Sequence, residues 1–398
     1  MTSDRIERLA ALAVEFAANV QPGQIVSVSA DTGSGEIVRA LTAKAYQRGA
    51  NFVDAVYFDP YVKRARIEHA DASTLDFVPP WYGERVLALG AHGAARITVT
   101  PLGPPGLLDG LDPARAGRDA LPFVREVLTV INENSTNWTI IPYPTVAWAS
   151  VVHRDLDPAA AAERLWEQIE HVCRLDEDDP VSAWRERMET LRGVAERVGE
   201  QHFSALHFEG PGTDLHVGLL PSSTWMSAGN RTRDGIEHLV NLPSEEIFTA
   251  PDPERVDGVV RATKPLDLNG TIVDGLRVRF DGGRAVEIDA DSGAEALRAM
   301  AKKDDGAARL GEVALVDREG RVGALDTVFY ETLLDENAAS HVALGNAYEA
   351  SAAEEHRARL NKSAIHVDFM IGGDDVHVTG VAPSGERVPV LRSGTWQL

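Results

Sequence analysis

The sequence is poor in cysteine, in basic residues and in long apolar runs. Cys173 is the single cysteine among 398 residues, which excludes an intramolecular disulfide and a thiolate metal cluster. Lysine and arginine number 39 against 61 aspartates and glutamates, and this net charge of -22 opposes binding to nucleic acid or to an anionic membrane surface. Any metal ion would therefore have to be bound by His, Asp and Glu side chains.

Apolar runs are also too short to span a bilayer, and the N-terminal residues lack the apolar core of a signal peptide. We therefore expect a cytoplasmic protein. The chain is longer than the size at which one hydrophobic core usually stops growing, so two domains are expected.

The predicted secondary-structure pattern changes near residue 203. Before it, strand and helix patterns alternate, which favours an open, mostly parallel sheet covered by helices. The strands of this part are predicted at 24–30, 52–58, 95–101 and 137–142. After it, short strands separated by Gly, Asp and Asn turns favour an α+β domain rich in antiparallel sheet. The predicted domains are residues 1–202, an α/β domain, and 203–398, a metal-binding catalytic domain.

A predicted strand near the end of the chain carries polar residues on one face only. Successive side chains of a strand point to opposite faces, so His366 and Asp368 share one face while Val367, Phe369 and Ile371 form an apolar one. Imidazole nitrogen and carboxylate oxygen are common ligands of zinc and its neighbours. For an isolated pair, however, a simple His–Asp hydrogen bond on a half-exposed strand is the commoner outcome.

Three other segments after residue 203 place further candidate ligands near apolar strands or helical patterns. They contribute Glu246, Glu312, Glu336 and His341, and a helical pattern runs from His341 to Tyr348. On a helix, His341 and Tyr348 would share a face, and Glu336 would converge with them only from a loop or first turn before the helix.

Each of these residues also has a structural interpretation, as an exposed acid, a buried imidazole or a core ring. Together with the strand at 366–371 they supply four acids and two imidazoles, a set suited to two divalent ions that share a bridging carboxylate and a water.

Several long motifs of this chain resemble the thermophilic metalloaminopeptidase family of the aminopeptidase T and aminopeptidase S type. They are the segments 19–23, 64–70, 241–251, 310–316, 329–341 and 366–372, which occur in the family's order and span nearly the whole chain. The resemblance implies a two-domain homodimer that removes N-terminal amino acids from peptides with a free N-terminus, using two divalent metal ions (Zn, Co, Mn or Mg).

Carried over motif by motif, the resemblance also implies a set of site residues. The implied metal ligands are Glu246, Glu312, Glu336, His341, His366 and Asp368, and the implied catalytic residues are Glu312, Glu336 and Tyr348. The chain departs from the family at Glu245, where relatives often carry glycine, and at His377, which is either a third imidazole near the site or a strand residue facing solvent.

Three functions stay open from the sequence. The first is an aminopeptidase that uses a two-metal-activated water, with Glu312 or Glu336 as the general base and Tyr348 as a hydrogen-bond donor to the oxyanion. The second is a metal-dependent hydrolase of other small amides or esters. The third is a non-enzymatic binding protein with a structural metal.

Overall fold

The structure is a computed structural model that describes residues 2–119, 121–268 and 270–398. The helices are α1 Thr2–Leu12, α2 Gly35–Gln47, α3 Pro60–His69, α4 Pro80–Ala91, α5 Pro113–Ala116, α6 Glu126–Asn132, α7 Val146–Val152, α8 Pro158–Val172, α9 Pro180–Glu200, α10 Ala294–Met300 and α11 Thr332–Glu336. The strands are β1 Ile25–Asp31, β2 Phe52–Phe58, β3 Ala95–Thr100, β4 Trp138–Pro142, β5 Ala205–Gly210, β6 Thr213–Leu219, β7 Met226–Ser227, β8 Gly229–Arg231, β9 Glu237–Leu239, β10 Glu246–Thr249, β11 Pro251–Arg261, β12 Leu266–Leu268, β13 Thr271–Val273, β14 Arg277–Asp281, β15 Arg284–Asp289, β16 Leu310–Val316, β17 His341–Gly345, β18 His366–Met370, β19 His377–Val381, β20 Arg387–Arg392 and β21 Thr395–Trp396.

Internal packing divides the chain into two compact units. The first comprises Met1–Arg187 and Ala228–Ser244, and the second comprises Met188–Ser227 and Glu245–Leu398. The chain thus passes between the units more than once, whereas the boundary expected at residue 203 is a single cut. The domain limits 1–202 and 203–398 stay a prediction.

The first unit contains a parallel sheet with the strand order β2-β1-β3-β4. Its inner strand β1 buries Val26, Val28 and Ala30 on one face and Ser27 and Asp31 on the other, as expected for a strand covered on both faces. A short turn after Asp31 leads directly into α2, in agreement with the plain strand-to-helix connection that the sequence favours.

The second unit is built mainly from antiparallel strands. One sheet has five strands in the order β18-β17-β16-β10-β7, and a second has eight in the order β15-β14-β11-β6-β5-β19-β20-β21. The predicted fold class is therefore confirmed: an open parallel sheet with helices, followed by an α+β part rich in antiparallel sheet.

The five-stranded sheet has one apolar face that fixes its register. Ile247, Val313, Val342 and Phe369 lie on its successive main strands, and each of them is fully buried. A slip of one residue would move this whole set to the opposite face, which carries buried acids and imidazoles, so the register is strongly specified. The opposite face of the same strands is thereby held in one arrangement.

Among the described residues, no helix is both long enough and apolar enough to cross a lipid bilayer.

Candidate metal centre

Four adjacent strands of the five-stranded sheet, β18, β17, β16 and β10, bring five predicted ligands to one face. Residues that pair directly across antiparallel strands share a face, and residues two apart along a strand do as well. Strands β17 and β18 are joined by the pairs His341–Met370, Ala343–Asp368 and Gly345–His366. Strands β16 and β17 are joined by Glu312–Ala343 and Ala314–His341. Strands β10 and β16 are joined by Glu246–Val316 and Phe248–Ala314. Glu246, Glu312, His341, His366 and Asp368 therefore all project from the same face.

A β-bulge sets the orientation of Glu312. The register between β16 and β17 shifts between Leu310 and Glu312, which leaves Gly311 as the extra residue. A Cβ atom at Gly311 would lie 2.3 Å from the backbone oxygen of Gly345, so only glycine fits this close approach. The glycine that precedes Glu312 in the sequence thus decides which face the carboxylate occupies.

Glu312 lies between the two imidazoles. Its Oε1 is 3.5 Å from Nε2 of His341, and its Oε2 is 3.5 Å from Nε2 of His366. Each of these Nε2 atoms also faces a second acid: Glu246 Oε2 is 3.1 Å from His341 Nε2, and Asp368 Oδ1 is 3.4 Å from His366 Nε2. The two halves of the cluster therefore share one carboxylate.

These separations suit ligands of a common ion. Atoms bound tetrahedrally to zinc at about 2.0–2.2 Å lie roughly 3.3–3.6 Å from one another. The groups Glu246–Glu312–His341, Glu312–His366–Asp368 and Glu336–His341–Asp368 each place one ligand atom per residue within 4.8 Å of the others.

Both imidazoles are held with Nε2 turned to the acids. Nδ1 of His366 lies 2.8 Å from the backbone oxygen of Asn346, and Nδ1 of His341 lies 3.2 Å from that of Ala339. A carbonyl oxygen only accepts, so in the neutral rings the hydrogen sits on Nδ1 and the Nε2 lone pair faces the cluster. This is the arrangement of most metal-bound histidines.

Two buried carboxylate oxygens of the cluster have no hydrogen-bond donor among the described residues as long as the imidazole Nε2 atoms beside them carry no hydrogen. They are Oε2 of Glu246 and Oδ1 of Asp368, whose residues are 6% and 9% exposed. Buried carboxylate oxygens that lack a donor are costly unless a cation satisfies them. The residues present therefore fit a metal ion, because their side chains are of the usual ligand types and their buried carboxylate oxygens need a cation.

Several pKa values of the cluster are shifted in the direction that favours positive charge. Burial lowers the pKa of His366, but Asp368 and Glu312 outweigh it and raise that pKa to about 10. The pKa of His341 is likewise raised well above its usual value, because Glu246 and Glu312 outweigh burial. Burial and the surrounding acids raise the pKa of Glu336 well above its usual range. These shifts favour protonation of the two imidazoles and of Glu336 when no cation is bound.

Glu336 and Tyr348 reach the site by a route that differs from the predicted one. Glu336 is the last residue of α11, and His341 begins β17, so the expected helix from His341 to Tyr348 is wrong. Glu336 nevertheless joins His341 and Asp368 in one group. The ring of Tyr348 follows β17 in a loop and lies 5.5 Å from the ring of His366 and 5.7 Å from that of Phe248.

Sequence reasoning missed two residues that brace the site. The buried side chain of Asn337 accepts a hydrogen bond from the backbone nitrogen of Glu245 at 2.6 Å and donates one to the oxygen of Leu333 at 2.8 Å. It thereby ties the segment of Glu336 to the start of β10. Asn346 orients His366 through its backbone oxygen. Every residue has such an oxygen, so the residue type at position 346 could not indicate this contact.

The two departures from the family motifs are not among these groups. Glu246, and not its neighbour Glu245, supplies the oxygen next to His341. His377 begins β19 in the eight-stranded sheet and belongs to none of the potential metal-binding groups found among the described residues.

The chain is similar to known proteins along almost its whole length. A family model described as thermophilic metalloprotease (M29) matches residues 2–396. The chain is 41% identical to aminopeptidase T of Thermus aquaticus over 403 residues, covering 99% of this chain and 98% of the relative. It is 36% identical to aminopeptidase AmpS of Bacillus subtilis (strain 168), and the match covers 99% of this chain and 98% of the relative. The solved structure of wild-type AmpT from Thermus thermophilus superposes with a TM-score of 0.89, at 40% identity and 100% coverage of both chains.

Proposed function

Because the chain belongs to the thermophilic metalloprotease (M29) family, we propose that it is a metal-dependent aminopeptidase that removes N-terminal amino acids from peptides. The family resemblance drawn from the sequence motifs is thereby confirmed. The number of ions, their ligands and the roles of individual residues are the finer part of the proposal.

The position of Glu312 supports a centre of two divalent ions. Each of its oxygens faces a different imidazole at 3.5 Å, which is how a carboxylate bridges two sites. We assign Glu246, Glu312 and His341 to one site and Glu312, His366 and Asp368 to the other, with Glu336 reaching both through its group with His341 and Asp368. When bound, the ions would supply Lewis-acid polarisation of the scissile carbonyl and a water of lowered pKa.

Glu336 and Glu312 are the candidates for moving the proton. A carboxylate that the metal ions do not saturate can take a proton from water and pass it to the leaving amine. Burial and neighbouring acids raise the pKa values of both groups, that of Glu336 well above its usual range, so both bind a proton more readily than a free carboxylate. Both therefore stay candidates for the general base.

Tyr348 is placed to act as a donor. Burial and the nearby carboxylates raise the pKa of its hydroxyl well above the usual value, so the phenol keeps its hydrogen throughout the neutral range. We assign it a hydrogen bond to the carbonyl oxygen of the scissile bond as that oxygen gains negative charge. The acid-rich face itself would attract the positively charged N-terminus of a peptide.

The test is hydrolysis of aminoacyl anilides by protein that has been treated with a chelator and then supplied with Zn, Co, Mn or Mg. Activity should disappear on chelation and return with at least one metal. A peptide with a free N-terminus should be cleaved, and its N-acetylated form should not. Cleavage of the acetylated form would favour a general amide or ester hydrolase, and bound metal without turnover would favour a structural metal.

Two further expectations stay predictions. The homodimer implied by the family resemblance is tested by analytical ultracentrifugation of the full chain. The cytoplasmic location expected from the sequence is tested by fractionation of the source cells.

A further inference from the structure

A second group of metal-ligand side chains lies on the eight-stranded sheet. His207 on β5 pairs directly with His216 on β6, and Glu209 pairs with Asp214 in the same ladder. Because paired residues and residues two apart share a face, these four side chains form a square on one face of the sheet. None of them belongs to the proposed catalytic centre.

The two imidazoles are stacked and share one carboxylate. Their rings lie 3.8 Å apart with planes 10° from parallel. Oδ1 of Asp214 is 2.7 Å from Nε2 of His207 and 3.9 Å from Nε2 of His216. The His207 ring is buried, whereas His216 and Asp214 are open to solvent, so the group has one anchored member and one accessible side.

We propose that His207, Asp214 and His216 bind one divalent ion of the borderline transition-metal class, with Zn²⁺ as the representative. Two imidazoles and a carboxylate are a usual zinc donor set, with water completing a tetrahedron. Tetrahedral ligands lie roughly 3.3 Å apart, so the 2.7 Å contact has to widen and the 3.9 Å contact to shorten, each by about 0.6 Å. Because two stacked rings cannot both direct an in-plane lone pair at one ion, the exposed His216 ring also has to turn out of the stack, and rotation of the exposed Asp214 side chain accompanies it. The ion would clamp β5 to β6.

Arg387 opposes the ion in the present arrangement. Its Nη2 lies 2.7 Å from Nδ1 of His207 and donates a hydrogen bond of 3.0 Å to Oε2 of Glu209. Nδ1 of the neutral ring is then the acceptor, and the ring hydrogen sits on Nε2, facing Asp214.

Metal binding requires the other tautomer of His207. The hydrogen must move from Nε2 to Nδ1, where Oε2 of Glu209, 3.2 Å away, can accept it in place of Arg387. No net proton is released, and the half-exposed Arg387 side chain swings out. The outcome is a carboxylate–histidine–metal arrangement. Loss of the Arg387 donor should therefore strengthen metal binding, although the removed residue touches no metal.

The experiment is zinc titration of the chelator-treated full chain, with bound zinc measured by mass spectrometry after desalting. His216→Gln and, independently, Asp214→Asn should each lower the zinc content by about one ion per chain and leave peptide hydrolysis unchanged. His69→Gln is the matched control, because the side chain of this histidine is 74% exposed and belongs to none of the potential metal-binding groups of the described residues. Arg387→Met should lower the dissociation constant for this one ion.

Nitrogen NMR of the His207 ring gives a readout that is separate from activity. In zinc-loaded protein the hydrogen should be found on Nδ1, and in chelated protein on Nε2. Equal zinc content in wild type, H216Q and D214N, or a His207 tautomer that zinc does not change, would overturn the proposal. Because hydrolysis is not the readout, a failure of the aminopeptidase assignment would leave this result interpretable.

Discussion

Replacement of Tyr348 by phenylalanine isolates a single hydroxyl group next to the proposed metal centre. Phenylalanine keeps the ring that lies 5.5 Å from His366 and 5.7 Å from Phe248, so the packing around the imidazole is preserved. We assign no metal ion to the Tyr348 hydroxyl, and burial and the nearby carboxylates raise its pKa, which favours the neutral phenol. Metal content should therefore stay unchanged.

The magnitude follows from the role of the donor. Loss of one hydrogen bond to a developing oxyanion lowers kcat by about 10²–10³-fold, or roughly 2.7–4 kcal/mol in the barrier. KM should change little, because the bond is made mainly in the transition state. The assay compares kcat and KM for an aminoacyl anilide with zinc content in wild type and Tyr348→Phe. Tyr61→Phe, at a site 59% exposed, is the control.

Two outcomes would refute this reasoning. A fall in kcat of less than about tenfold would remove Tyr348 from the reaction. Loss of metal in proportion to loss of activity would make the tyrosine a support for His366 and not a donor to substrate.

Three other predictions concern the metal ions and pH. Glu312→Gln should lose both ions together, because each carboxylate oxygen faces a different imidazole; metal analysis beside the exposed Glu254→Gln checks this. Chelation of the wild type should lower Tm, because ions that bind only the folded chain stabilise it by about 2.7 kcal/mol at a hundredfold excess over Kd; calorimetry checks this, and an unchanged Tm would argue against bound metal. Burial lowers the pKa of His238 from 6.5 to about 4. Between these pH values the unfolded chain binds a proton that the folded chain does not. The free energy of unfolding should therefore fall by up to about 1.4 kcal/mol per pH unit as pH drops from 6.5 toward 4. Denaturant titrations should show a shallower fall for His238→Phe and an unchanged one for His69→Phe, whose side chain is 74% exposed.

The strand-borne part of the site could be predicted because strand alternation is a local property. The pattern of 366–371 separates His366 and Asp368 from an apolar face, and in the structure Val367, Phe369 and Ile371 are buried. The motif around Glu312 was recognisable as well. The bulge at Gly311 that turns Glu312 to the correct face was not, because it depends on the approach of β17.

The segment from His341 to Tyr348 could not be predicted correctly by periodicity. Its alanines and its apolar spacing favour a helix locally, but His341–Gly345 is held as a central strand between β16 and β18. Pairing on both sides outweighs the intrinsic preference of the segment. The return of 228–244 to the first unit is equally invisible to local pattern, because only long-range packing defines it.

The most direct test of the two-ion centre is an anomalous difference map, at the zinc absorption edge, from crystals grown with Zn²⁺. Two peaks about 3.5–4 Å apart are expected, one near Glu246 and His341 and the other near His366 and Asp368, with Glu312 between them. A single peak on that face, or a pair of peaks that Glu312 does not bridge, would contradict the two-ion centre.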